Sequence, residues 1–318
     1  MCVAMLLVQN DSQESLELRQ DFEDTGFVNI MRVVPDAVSA LACLHGAPPF
    51  ATRLEPALIL VDLSSGDGES SLMLDLELLS DLKSDANLRA IPVVILTHNS
   101  KAADVLNVYS YGACSFVSKP SDPIERRELI YQFAKYWAQV AQLPCTVDRR
   151  SDEPWLKDQF DLDKHGAISV PPASLKTVEV LVVDDSDDDV VLLKEAFKEC
   201  PLVNFVQTVE DGEAALRYLR RQRPFKSAKR PGLVLLDINM PKKNGFEVLA
   251  EMRADPQLSN VPVVILTTSK QESDILRAYA SGACSFIAKP VNFEKMQQIA
   301  QQFAIYWTRV ANIPRAGE

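Results

Sequence analysis

The stretch Pro92-Val-Val-Ile-Leu-Thr97 recurs, residue for residue, as Pro262-Val-Val-Ile-Leu-Thr267. The self-similarity extends outward from this pair. Residues 91–144 align without a gap onto residues 261–314 at an offset of 170, with about 24 of the 54 positions identical. Gly112-Ala-Cys-Ser-Phe116 matches Gly282-Ala-Cys-Ser-Phe286, and Lys119-Pro120 matches Lys289-Pro290. Nearer each start the offset is 175, which pairs Phe22 with Phe197, Asp36 with Asp211 and Asp62 with Asp237. The five-residue difference falls between Asp62 and Pro92, where the first copy carries the extra stretch Ser64-Ser-Gly-Asp-Gly-Glu-Ser70. The chain therefore reads as one domain written twice, over residues 1–144 and 177–318. Residues 145–176 match nothing and read as a linker, with Trp155, Leu156 and Phe160 as packing anchors within it.

Each copy alternates two periods. In the second, short apolar runs at residues 178–183, 203–206, 233–236, 261–266 and 284–287 are separated by segments of helical period. Strands apolar along their whole length, alternating with helices, specify a parallel sheet covered on both faces. Five βα units per copy give an α/β, doubly wound five-stranded sheet whose site lies at the C-terminal strand ends.

Composition narrows the class. The 318 residues are 47% hydrophobic, enough for real cores, and carry a net charge of -11. An acidic balance argues against nucleic acid as a partner, since phosphate backbones call for a basic face. No apolar run is long enough for a signal sequence or a membrane span, so a cytoplasmic protein is expected. The six cysteines form no CxxC pair and no metal-like cluster with the three histidines.

The informative polar residues sit at strand C-termini. These are Asp184-Asp185 after the first strand of the second copy, Asp237 after the third, Thr267 after the fourth and Lys289 after the fifth. Each has an ordinary structural reading alone: a helix cap, a strand terminus, a turn. Together they fall at one edge of one sheet. Three carboxylates within ~5 Å repel by roughly 3 kcal/mol per pair at an effective dielectric near 20, so a cation or a shared proton must compensate. Oxygen-only ligands suggest Mg²⁺, which bridges carboxylates to phosphate. Asp237 is then a nucleophile for a phosphoryl group, with Thr267 and Lys289 facing the other phosphoryl oxygens. The run Asp187-Asp-Asp189 reads as an acidic first helical turn rather than as further ligands.

With these residues the second copy resembles a response-regulator receiver domain, the family of the bacterial chemotaxis regulator. The spacings of 30 from Asp237 to Thr267 and 22 from Thr267 to Lys289 are the family's own. The resemblance implies a flavodoxin-like fold in which Asp237 takes phosphate from a histidine kinase or a histidine phosphotransfer protein. It implies direct Mg²⁺ ligation by Asp185, Asp237 and the Asn239 carbonyl, with Asp184 acting through water. It also implies that Thr267 and Phe286 form the switch, that Lys289 contacts the phosphate, and that the Lys289–Pro290 bond is cis.

A finer resemblance lies at the end of each copy. Phe303, Tyr306, Trp307 and Val310 form one helical stripe, repeated as Phe133, Tyr136, Trp137 and Val140. This ending, with the basic loop at residues 220–230, resembles the output-free response regulators that partner phytochrome histidine kinases. In that group such helices help form dimers, so self-association or an intrachain pseudo-dimer is expected.

The first copy departs from the pattern. Gln9 and Asn10 stand where Asp184 and Asp185 do, while Asp62, Thr97, Phe116 and Lys119 remain. Asp11 replaces a lost acid only if the loop slips by one residue. Ser64 stands in place of Asn239. The expectation is a degenerate receiver, weak in Mg²⁺ and slow or inert in phosphorylation. The tandem then reads as a non-enzymatic regulator without an output domain, relaying phosphate or switching association. The rival readings are a phosphate sink, a non-phosphorylated scaffold, and an aspartyl-phosphate phosphatase of the haloacid-dehalogenase type. Asp237-Ile-Asn239 lacks the second acid of that last type.

Overall fold

The structure is a computed structural model, and it describes residues 3–63, 69–98, 101–144, 177–198, 200 and 203–314. Ser64, Cys2, Cys145 and the segment 145–176 with its aromatic residues lie outside the described residues.

The first half contains β1 (Val3–Val8), α1 (Ser12–Asp24), β2 (Val28–Val34), α2 (Ala37–His45) and β3 (Leu58–Asp62). It continues with α3 (Glu69–Ser84), β4 (Val93–Thr97), α4 (Ala102–Ser110), β5 (Ser115–Ser118) and α5 (Pro123–Gln139). The second half repeats the order as β6 (Val178–Val183), α6 (Asp187–Ala196), β7 (Val203–Val209), α7 (Gly212–Leu219) and β8 (Leu233–Leu236). Then follow α8 (Gly245–Ala254), β9 (Val263–Thr267), α9 (Glu272–Ala280), β10 (Ser285–Ala288) and α10 (Phe293–Ile305), which a π-helical turn, Tyr306–Val310, extends.

The two sheets have one topology. Their orders are β2-β1-β3-β4-β5 and β7-β6-β8-β9-β10, with every neighbouring pair parallel. Strands β3, β4, β8 and β9 are buried at every residue, which is why their sequences run apolar without alternation. Strand order reverses beside β1 and beside β6, and a crevice opens there at the C-terminal strand ends. Strand β7 runs to Val209, three residues beyond the apolar run seen in sequence, because Gln207, Thr208 and Val209 still pair with β6.

Short polar residues start the helices. Asp11 accepts from the Gln13 and Glu14 amides at the head of α1, and Ser186 accepts from the Asp189 amide at the head of α6. Asp36 and Asp211 cap α2 and α7 in the same paired way. Each cap satisfies amides that have no partner within the helix and contributes about 1 kcal/mol. Because Asp11 and Ser186 hold equivalent cap positions, the loop after β1 has not slipped. Gln9 and Asn10 are therefore the structural counterparts of Asp184 and Asp185.

The aromatic stripes of the two halves pack on each other within the chain. Tyr136 and Tyr306 stack with centroids 4.0 Å apart and planes 12° from parallel. The Trp137 indole donates to the Tyr306 hydroxyl at 3.1 Å, and the Trp307 indole donates to the Tyr136 hydroxyl at 3.2 Å. Phe133, Val140, Phe303 and Val310 close the cluster and are likewise buried. Beyond the stripes each half reaches the edge strand of the other. The Gln142 amide donates to the Phe286 carbonyl, and the Asn312 amide to the Phe116 carbonyl, both at 2.7 Å. Tyr279 and Tyr109 donate their hydroxyls to the carbonyls of Gln142 and Asn312, each at 3.0 Å. The arrangement is a pseudo-twofold in which β5 and β10, otherwise open sheet edges, are partly covered.

Candidate functional site

The chain connectivity of the second half brings four strand ends together. The Asp184 amide donates to the Val209 carbonyl, the Asp237 amide to Val183, and the Lys289 amide to Thr267. Each residue is thus held by the neighbouring strand rather than by a free loop. One carboxylate oxygen from each of Asp184, Asp185 and Asp237 lies within 4.8 Å of the others. Asp184 and Asp237 are buried, while Asp185 faces the opening. No other such group of acidic, histidine or cysteine side chains occurs among the described residues.

Lys289 compensates this charge. Its Nζ donates to Asp184 Oδ2 at 2.7 Å, to Asp189 Oδ2 at 2.7 Å and to Asp237 Oδ2 at 3.2 Å. The other Asp237 oxygen, Oδ1, accepts from the Ile238 amide at 2.6 Å and, more weakly, from the Asn239 amide at 3.4 Å. Thr267 is fully buried, and its Oγ1 accepts from the Ser269 amide at 3.4 Å. Phe286 is fully buried in β10, three residues before Lys289. One ammonium bonds three carboxylates while Asp185 adds a fourth, so the site is net negative. Burial and the Asp237 charge push the Asp184 carboxyl up despite its bond to Lys289. Burial alone would lower Lys289, but the bonds from Asp184 and Asp189 and the charge of Asp237 hold it well above the usual lysine range.

Backbone fit matters as much as charge. A Cβ on Gly245 would stand 2.2 Å from the Asp237 carbonyl oxygen, so only glycine allows α8 to start this close to the acid.

Sequence reading missed Asp189. It treated the acidic run as a charged helix start, which it also is, since all three acids occupy the first turn of α6. The available signal was Glu14, which stands at the equivalent position of α1 and binds the equivalent lysine. The expected cis Lys289–Pro290 bond is not found. Among the described residues the cis bonds are Pro48–Pro49 and Arg223–Pro224, and Lys289–Pro290 takes the intrinsically favoured trans form.

In the first half the same strand ends carry a different charge set. Lys119, buried, binds Asp62 and Glu14, the latter at 2.5 Å. His98 Nε2 lies 2.8 Å from the same Glu14 oxygen. Gln9 is buried, Asn10 is exposed, and Asp11 is committed to its helix cap. Thr97 and Phe116 are buried as their counterparts are. Burial raises the Glu14 carboxyl, but Lys119 and then His98 outweigh it and hold the group below its usual range.

The profile of the family described as response regulator receiver domain matches residues 180–301. Response regulator Rcp1 of Synechocystis sp. is 35% identical over 137 residues, covering 43% of this chain and 93% of that protein. The chain belongs to the response-regulator receiver family. A second relative of this receiver protein is the probable methanogenesis regulatory protein FilR2 of Methanothrix harundinacea. It is 34% identical over 128 residues, 40% of this chain and 82% of its own length. Among solved structures, the phosphorylated cyanobacterial phytochrome response regulator RcpA is 38% identical. It covers 44% of this chain and 99% of its own, with a TM-score of 0.42. Both halves of this response regulator have flavodoxin-like receiver folds, and no helix among the described residues is long and apolar enough to cross a membrane.

Proposed function

We propose that the second half, residues 177–318, is a phosphoacceptor receiver and the first, residues 1–144, a degenerate one, joined by residues 145–176. Asp237 accepts a phosphoryl group from a histidine kinase or a histidine phosphotransfer protein. The observation that carries this reading is the convergence of Asp184, Asp185 and Asp237 within 4.8 Å beside the Lys289 ammonium. An all-oxygen donor set with excess negative charge fits Mg²⁺. Asp185, Asp237 and the Asn239 carbonyl would hold the ion, with Asp184 acting through water. Bound there, it supplies positive charge for the transferring group.

The chain's own residues do the rest. The Ile238 amide fixes Asp237 Oδ1 and so orients the nucleophilic carboxylate. Lys289 leaves Asp237 for a phosphoryl oxygen while keeping Asp184 and Asp189 as partners. Thr267 donates to another phosphoryl oxygen, and Phe286 follows it as the switch. The output is a change in how the protein associates. A phytochrome-type histidine kinase is the partner that the aromatic endings favour. In the first half, Gln9 and Asn10 lack the charge that offsets dehydration of Mg²⁺.

Intact-mass measurement after incubation with acetyl phosphate and Mg²⁺ tests the reading. Wild type and Asp62→Ala each gain one phosphoryl group, and Asp237→Ala gains none. Label that persists in Asp237→Ala and vanishes only with Asp62→Ala added overturns the assignment of the degenerate half.

A further inference from the structure

A cavity of about 580 Å³ opens beside the acid cluster, sharing Asp185 with it and lined also by Asn239. Its far wall carries Arg277, on α9. The Arg277 guanidinium stacks over the Phe246 ring, 4.1 Å from its centroid, and makes no salt bridge among the described residues. Asp274, one turn earlier, is engaged by the Ser269 hydroxyl at 2.5 Å.

Phe246 is itself tightly located. It is buried and follows Gly245, whose amide donates to the Ile238 carbonyl and whose Cα packs against the Asp237 backbone. The guanidinium is thus indexed, through one ring, to the backbone of the acceptor residue. A cation–π contact holds the group in place without consuming its N–H donors. The pair is absent from the first half, where no phenylalanine falls between Asp62 and Pro92 and the ungapped alignment sets Asn107 opposite Arg277. Arginine and ring therefore accompany the half that has the acid cluster.

We propose that Arg277 is the donor-binding residue of this site: it holds the phosphoryl oxygens of a small acyl phosphate in the cavity before transfer. The proposal rests on Asp237 being the acceptor. An approaching donor is a dianion and meets a net-negative cluster, so a cation at the cavity wall favours encounter. In the transfer an Asp237 carboxylate oxygen bonds to phosphorus while the bond from phosphorus to the acyl oxygen breaks. Its electron pair leaves with the carboxylate product, and no proton or redox partner is required. Arg277 contacts the donor before and during this step alike, so its removal weakens binding more than turnover.

The test measures labelling rate against acetyl phosphate concentration, read by intact mass, in full-length wild type, Arg277→Gln, Arg277→Lys and Phe246→Leu. Thermal melts accompany each protein. Arg277→Gln is expected to raise the half-saturating donor concentration about five- to tenfold, leave the limiting rate within about twofold and flatten the salt dependence. Arg277→Lys recovers part of the affinity, and Phe246→Leu, with an intact melt, shifts it in the same direction as Arg277→Gln. If wild type is labelled at Asp237 and Arg277→Gln follows the same concentration curve, the role of Arg277 is wrong while the acceptor assignment stands. If wild type takes no label at Asp237, the acceptor assignment fails and the proposal falls with it.

Discussion

Tyr136 and Tyr306, 170 residues apart and at equivalent positions of the two halves, stack face to face at 4.0 Å and exchange indole hydrogen bonds with each other's tryptophan neighbours. A residue packed against its own repeat counterpart lies on a pseudo-twofold axis. Both rings are fully buried and both hydroxyls are satisfied: Tyr136 also donates to Ser285 Oγ at 3.0 Å. Burial pushes both phenols well above their usual range, so they stay neutral donors at any working pH.

The first prediction follows from that satisfaction. Tyr136→Phe leaves the Trp307 indole and Ser285 hydroxyl without their partner in a dry interface, which costs about 1–3 kcal/mol. Tyr136→Ala also removes the ring and costs about 3–5 kcal/mol. Denaturant unfolding followed by tryptophan fluorescence measures both. A Phe variant as stable as wild type would mean the hydroxyl is dispensable.

How much of this was legible beforehand depends on what kind of fact each was. The strands were legible because a buried parallel strand must be apolar throughout, as Val263–Thr267 is. The acid site was legible because Asp184, Asp185, Asp237 and Lys289 fall at strand ends, which the topology gathers whatever the side chains do. Asp189 was not, since its role depends on the reach of Lys289 across the crevice. The pairing of Tyr136 with Tyr306 was only half legible. Equal spacing marks two residues as equivalent, and only packing decides whether equivalents touch.

The second prediction concerns charge at the acceptor. Asp184, Asp189 and Asp237 share one lysine and Asp185 adds a fourth acid beside them, so neutralising one acid relieves repulsion. Asp237→Asn is expected to raise stability in chelator by about 1 kcal/mol. It is also expected to shrink the stabilisation that Mg²⁺ gives wild type. Thermal melts with chelator and with Mg²⁺ measure both effects. A variant that melts lower in chelator and responds to Mg²⁺ as wild type does would remove the argument from excess charge.

The third prediction is a pH dependence in the first half. Lys119 and His98 hold the Glu14 carboxyl below its ordinary value of 4.5 despite the opposing effect of burial. A carboxyl lowered in the folded state contributes stability that is fully present above 4.5 and is lost as pH falls through the folded value. Glu14→Gln removes this contribution. Wild type should therefore be the more stable near neutrality, and the two stability curves should converge as pH drops below 4.5. Urea unfolding at a series of pH values measures the convergence. Curves that stay parallel would show that Lys119 does not depend on Glu14.

The fourth prediction rebuilds what the first half lacks. Asp62, Thr97 and Lys119 stand where Asp237, Thr267 and Lys289 do, and Asp11 already caps α1 as Ser186 caps α6. The missing parts are two charges, at buried Gln9 and exposed Asn10. The double substitution Gln9→Asp with Asn10→Asp restores them without disturbing the cap. In chelator it should cost stability, because a carboxylate at position 9 is buried with Asp62 and the single nearby ammonium must serve one more acid. Mg²⁺ should recover that loss, giving the first half a metal-dependent melt that wild type lacks there. To isolate it from the second half, the pair is built into Asp237→Asn, whose own metal response is expected to be small. A double variant destabilised in chelator and not rescued by Mg²⁺ would mean that the rebuilt loop after Asp62, and not the two amides alone, keeps the first half from binding the ion.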